Sequence, residues 1–142
     1  VWKLYYEMQM PMLLGFKKIY GDLESFHVHG ICLINHALNS KRNDNSEMSK
    51  EFYLEKYFFA DKKDFSGVNA MSISEITGIP RATVIRKLNR LLKEKFLKID
   101  SKKHYSTTGV NQKKILNVQK KTLDNLSNFV TRIYNLSLIK DN

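Results

Sequence analysis

The chain has 142 residues, enough to bury a core without disulfides or metal, and its 42% hydrophobic content is that of one ordinary globular domain over 1–142. A single cysteine, Cys32, excludes an internal disulfide framework and fits a reducing cytoplasm, and no apolar run approaches the ~18 residues of a membrane span. Lysine and arginine outnumber acidic residues by 24 to 14, a formal charge of +10 that points to a polyanionic partner. Val1 is no initiator methionine, which leaves room upstream for further residues, a targeting segment included.

The first element expected is helical. Met12, Phe16, Ile19, Leu23, Phe26, Gly30, Leu33 and Ala37 recur in steps of four and three, the spacing of a helical packing seam. Pro11 is placed to open that helix, a break near Gly21-Asp22 divides it in two, and the polar run Asn39 to Ser46 closes it. A further helix around Ser49 to Phe59 is expected to support the next segment from behind.

Residues 72 to 106 hold a compact motif. Ser72 with Glu75 three residues later forms a capping box, so a short helix should begin there, with Ile73 and Ile76 on its apolar face and Gly78 at its end. Pro80 is tolerated at the start of the next helix, where an amide has no intrahelical partner. In that second helix Val84, Leu88 and Leu91, with Ile85 and Leu92 beside them, form the packing stripe. The other side shows Arg81, Ala82, Thr83, Arg86, Lys87, Asn89, Arg90 and Lys93, small near the start and long, cationic or amide thereafter. Such side chains reach base edges or phosphates. The N-terminal half is expected to face bases, with Arg90 and Lys93 on phosphate or bracing the hairpin.

Phe96, Leu97 and Ile99 then form a strand-like run, Asp100 to Lys103 is polar, and His104 and Tyr105 resume the strand pattern. Strand, turn and strand make a small wing whose tip, Ser101, Lys102, Lys103 and His104, would lie on the backbone or the minor groove. From Arg81 to Lys103 there are nine basic residues and two acidic ones, and nine minus two gives +7 of the chain's +10. This clustering is the footprint of nucleic acid. At the C-terminal end, Ile115, Val118, Leu126, Val130, Ile133 and Ser137 form a second long helical stripe.

GIPRATVIRKLNRLLKEKFL resembles the recognition helix and following strand of the multiple-antibiotic-resistance regulator (MarR) group, and GIPRATV alone is also similar to the isocitrate-lyase regulator group. The likeness covers roughly 49–109. It aligns Asn89-Arg90-Leu91 with the group's Asp-Arg-Leu, which implies that Arg90 braces helix and wing, and Thr107, Thr108 and Gly109 with its Leu-Thr-x-x-Gly. Lys95 stands where that group usually has glycine, and Asp100-Ser101-Lys102-Lys103 replaces its Asp-x-Arg-Asp-Arg. The fold implied is mainly α with a small β-hairpin: a winged helix-turn-helix flanked by N- and C-terminal dimerisation helices, 1–40 and 111–142. In the resembled group such flanks intertwine across a two-fold axis, which assigns Phe16, Ile19, Leu23, Leu126, Val130 and Ile133 to a homodimer; the alternative is that they pack on each other within one chain.

His29, Cys32 and His36 fall at i, i+3 and i+7, near one helix face, and are capable zinc ligands without an evident fourth. They are read as buried or partner-facing side chains, and no metal or cofactor is expected. No nucleophile motif or glycine-rich phosphate loop is present, so the chain is read as a non-enzyme. Tyr5 and Tyr6 could border a pocket for a small-molecule effector. The function expected is a dimeric, sequence-specific, double-stranded-DNA-binding transcriptional regulator of a palindromic operator; the second reading is a winged-helix module for protein contact, replication or chromosome handling.

Overall fold

The computed structural model describes residues 1–38 and 67–140. Among these lie five helices and one hairpin, in the order α1 (Trp2–Tyr20), α2 (Leu23–Leu38), α3 (Ala70–Thr77), α4 (Arg81–Lys93), β1 (Leu97–Ile99), β2 (Tyr105–Thr107) and α5 (Gln112–Lys140). The class is mainly helical with a small antiparallel pair of strands. The polar run 39–46 and the helix expected near 49–59 fall outside the described residues.

The N-terminal flank divides at Gly21, as the sequence predicts. Gly21 takes a left-handed conformation, φ 80°, and its amide donates to the Lys17 carbonyl at 2.8 Å, closing α1 before α2 begins. Pro11 does not open a helix: α1 starts at Trp2 and carries Pro11 inside. Proline removes one amide from the helical ladder, but α1 lies along α5, and tertiary packing outweighs one missing bond. Tyr5 meets Phe129 at a ring separation of 6.4 Å, Arg132 donates to Glu7 at 3.0 Å, and Gly15 lies so close to Val118 that an added Cβ would approach it to 3.0 Å. The two flanks therefore pack against each other, antiparallel, within one chain.

The core gathers Phe16 and Tyr20 from α1, Val28 and Cys32 from α2, Ile73 from α3, Val84, Leu88 and Leu91 from α4, Phe96, Leu97 and Tyr105 from the hairpin, and Ile115 from α5. Phe16, expected at a subunit interface, is buried here and stacks on Phe26 at 4.4 Å, and Ile19 packs half-buried on the same cluster. Both belong to the core of the chain itself. Helical spacing marks a seam without saying whose side chains fill it.

The start of α3 also differs. Asn69 caps it, its side chain accepting from the Ser72 amide at 2.9 Å, so the helix begins three residues before the expected Ser72-Glu75 box. Asn and Ser are comparable caps, and the earlier one satisfies the amide of the later. Glu75 lies exposed on the helix. Just upstream, Val68 pairs with Tyr105 through two backbone hydrogen bonds, 3.0 and 2.8 Å. Gly67 approaches the same strand so closely that a Cβ would sit 2.2 Å from the Tyr105 carbonyl oxygen, a place only glycine can occupy.

Candidate nucleic-acid interface

Helices α3 and α4 are joined by a turn whose polar atoms are mutually satisfied. Gly78 is left-handed, φ 71°, and its amide donates to the Ser74 carbonyl; the Ser74 hydroxyl donates to the Ile79 carbonyl at 2.7 Å; the Ile79 amide donates to Thr77 Oγ1 at 3.2 Å. Pro80 then precedes α4, whose first turn is closed by the Val84 amide donating to the Pro80 carbonyl. This fixes the angle at which α4 leaves α3.

On α4, Val84, Leu88 and Leu91 are fully buried and hold the helix to the core. Opposite them, Ala82, Arg86, Asn89 and Lys93, at steps of four, three and four, form one exposed stripe with exposed Arg81 at its head and half-buried Thr83 at its edge. Among the described residues Arg81, Arg86 and Lys93 have no carboxylate partner. Ile85, expected beside the buried stripe, is instead 38% exposed.

Lys87 and Arg90 depart from the expectation. Lys87 Nζ lies 3.0 Å from Asp22 and 3.3 Å from Glu24, with only 13% of its side chain exposed. Arg90 lies 2.9 Å from Asp22 and 3.5 Å from Glu94, and donates to the Tyr20 carbonyl. Both side chains tie α4 to the corner between α1 and α2. Arg90 is thus a brace, as its motif position implies, but to the α1–α2 corner. Asp22 was legible only as a break between helices, and nothing local in the sequence links it to residues so far along the chain.

The end of α4 explains Lys95. The Lys95 amide donates to the Leu92 carbonyl at 3.0 Å and the Phe96 amide to the Leu91 carbonyl at 2.9 Å, with Lys95 left-handed at φ 62°. That closure favours glycine, and lysine occupies it at a conformational cost. The chain turns directly into β1, which pairs with β2 in the register Leu97 to Thr107 and Ile99 to Tyr105. Thr108 and Asn111 then fasten the exit of the hairpin back to α4: Thr108 Oγ1 donates to the Lys95 carbonyl and Asn111 to the Glu94 carbonyl.

The hairpin tip is organised by Asp100, whose carboxylate accepts from the amides of Lys102 and His104 at 2.8 and 2.9 Å. The His104 amide above all, then that of Lys102, holds the Asp100 carboxyl below its ordinary range. Ser101, Lys102 and Lys103 are exposed at the tip, and His104 is half-buried with Nδ1 3.6 Å from Asp100.

Burial alone would raise the Asp22 carboxyl, but the Ser25 amide, Lys87, the Ser25 hydroxyl and Arg90 together hold it well below the carboxylate range. It is therefore charged throughout the neutral range. Behind it, burial drives the Tyr20 hydroxyl above its ordinary value, pushes His29 down to about 3 and pushes Cys32 up to about 12. The Tyr20 hydroxyl is hydrogen-bonded to Nδ1 of the neutral His29 ring. His29, Cys32 and His36 are all core side chains, and among the described residues no group of three potential ligands could hold a metal ion.

A groove of about 790 Å³ runs between α1 and α5, floored by Met12, Gly15, Ile19 and Val118 and edged by Lys18, Lys114 and Lys121. Tyr5 and Tyr6, expected to border a pocket, do not line it. Of the flank residues, Leu23, Leu126 and Val130 are exposed and Ile133 is half-buried. No described helix is long and apolar enough to cross a membrane. Compared with protein-family models, characterised proteins and solved structures, the chain has no match.

Proposed function

We propose that the chain is a cytoplasmic, sequence-specific double-stranded-DNA-binding transcriptional regulator of the MarR-like kind, with α3, α4 and the hairpin forming a winged helix-turn-helix. In this reading α4 enters the major groove, Arg86 and Asn89 contact base edges, Arg81 and Lys93 contact phosphate, and Lys102 and Lys103 lie on the backbone or the minor groove. The observation that carries the reading is the exposed stripe of Ala82, Arg86, Asn89 and Lys93, held rigidly by a fully buried opposite face and without acidic partners among the described residues. Small, guanidinium, amide and ammonium groups in line suit base edges flanked by phosphates.

The reading includes a homodimer. Along α5, Leu126, Val130, Tyr134 and Leu138 are 41 to 62% exposed, and Trp2, Tyr6 and Met10 of α1 are 47 to 72% exposed. A large apolar surface of this kind calls for a partner, and a second copy covers it symmetrically. Two copies of α4 then face successive major grooves ~34 Å apart.

Selection of binding sites from random duplexes with the purified protein tests the proposal. A palindromic consensus with half-sites about one helical turn apart, or a multiple of it, is expected. Recovery of no enriched sequence, with duplex held no better than single strands, would overturn it.

A further inference from the structure

The clamp at the α1–α2 corner is built in advance of anything α4 meets. Gly21 is left-handed and brings the corner beside the Arg90 guanidinium, where an added Cβ would lie 3.7 Å from it. The Asp22 carboxylate is fixed from its own side, accepting from the Ser25 amide at 2.7 Å and the Ser25 hydroxyl at 3.2 Å. On the other side it receives Lys87 at 3.0 Å and Arg90 at 2.9 Å. Lys87 is the immediate neighbour of Arg86 and Arg90 that of Asn89, and Arg86 and Asn89 are the pair at the middle of the exposed stripe. Holding Lys87 and Arg90 therefore fixes the rotation of α4 about its own axis.

The clamp has an electrostatic consequence too. Each lysine or arginine that neutralises a phosphate releases a counterion and adds affinity regardless of sequence. Lys87, with 13% of its side chain exposed and two carboxylates beside it, is withheld from that role, and Arg90 is shared among Asp22, Glu94 and the Tyr20 carbonyl.

We propose that Asp22 is a positioning residue for duplex recognition: by engaging Lys87 and Arg90 it sets the direction in which Arg86 and Asn89 point and removes two cations from non-specific attraction. It lowers affinity for arbitrary DNA and raises discrimination between sequences. The proposal rests on the reading of α4 as the DNA-contacting helix.

The test compares the wild type with Asp22→Asn, which retains an acceptor oxygen for the Ser25 amide and loses the charge. Affinity is measured for a random-sequence duplex and for a selected site at several salt concentrations, with the thermal midpoint recorded. Asp22→Asn should bind the random duplex roughly tenfold more tightly near 50 mM salt, with a log–log salt slope steeper by about 0.9 to 1.8, one or two extra phosphates. Its discrimination between selected and random duplex should fall. In Asp22→Asn/Lys87→Gln/Arg90→Gln the slope should return to the wild-type value while discrimination stays lost. Loss of discrimination with an unchanged slope in Asp22→Asn would mark a merely structural role and overturn the proposal, as would unchanged values of both. Should Asp22→Asn not fold, Lys87→Gln decides alone: an unaltered wild-type slope is expected, and a slope shallower by about 0.9 would show Lys87 already on phosphate. A wild type that binds no duplex overturns the reading of α4 and this proposal with it, whereas a wild type that discriminates and an Asp22→Asn that discriminates equally overturn the clamp alone.

Discussion

Helices α4 and α5 carry the same kind of apolar periodicity and end in opposite situations. On α4, Val84, Leu88 and Leu91 are completely covered by the rest of the chain, and the face opposite them is mostly polar and cationic, with Ile85 exposed at its side. On the distal half of α5, Leu126, Val130, Tyr134 and Leu138 stay open to solvent. A helix whose apolar stripe is filled from within offers its polar face to partners. One whose stripe is left open offers the stripe itself. The contrast separates where nucleic acid is proposed to bind from where a second copy is.

The largest expected effect breaks this contrast directly. Leu88→Ala should cost about 2 to 5 kcal/mol in urea denaturation because the cavity it leaves is enclosed on all sides. Val130→Ala, at 57% exposure, should cost the isolated chain less than about 0.5 kcal/mol and act on self-association, seen as a raised dimer dissociation constant in ultracentrifugation. Equal losses from the two substitutions, both independent of protein concentration, would erase the distinction.

The packing beneath α4 can be probed by pH. His29 is neutral in the folded chain, pushed down to about 3 by burial, while the unfolded chain protonates it near 6.5. The unfolded state therefore binds the extra proton between those values, so stability falls as pH drops from about 6.5 toward 3, by up to ~1.4 kcal/mol per pH unit. His29→Gln should flatten that part of the curve. Parallel curves for the two proteins would contradict the burial of an uncharged ring there.

Arg86→Ala sharpens the account of the outer face. It should relax base preference by about 1 to 3 kcal/mol if the guanidinium reads a base, measured as the change in discrimination between the selected site and single-base variants. A uniform loss of affinity across sequences would move Arg86 to phosphate. A modest gain is expected at Lys95, where glycine fits the left-handed closure of α4: Lys95→Gly should gain about 0.5 to 1 kcal/mol in denaturant unfolding. A loss there would mean that the lysine side chain contributes more than its backbone costs.

The legible parts of the molecule were those fixed by short-range chemistry. The spacing of Val84, Leu88 and Leu91, the helix stop at Gly78, the break at Gly21 and the strand, turn and strand after Lys95 all depend on neighbours within a few residues. Three features depend on distant partners and were not legible. Lys87 looks like a free cation, and Arg90 like a brace to the wing, until the fold brings Asp22 to both from the far side of the chain. Phe16 and Ile19 fall on a seam that helical spacing cannot assign to one chain or two, and the fold places them in the core. Pro11 marks a helix start by local rules and is carried inside α1 because α5 lies alongside. For α3 the local rule itself was ambiguous, since Asn69 and Ser72 are both good caps and the earlier one prevails.

The most direct test of the central claim is the salt dependence of duplex binding by the wild type and by Arg81→Gln/Arg86→Gln/Lys93→Gln, a variant that removes the exposed cations of α4 and leaves Val84, Leu88, Leu91 and the Asp22 clamp untouched. The account predicts that wild-type affinity falls by orders of magnitude between about 50 and 200 mM salt, and that the variant's log–log slope is shallower by roughly 2 to 3. A variant with the wild-type slope, or a wild type whose duplex affinity ignores salt, would contradict it.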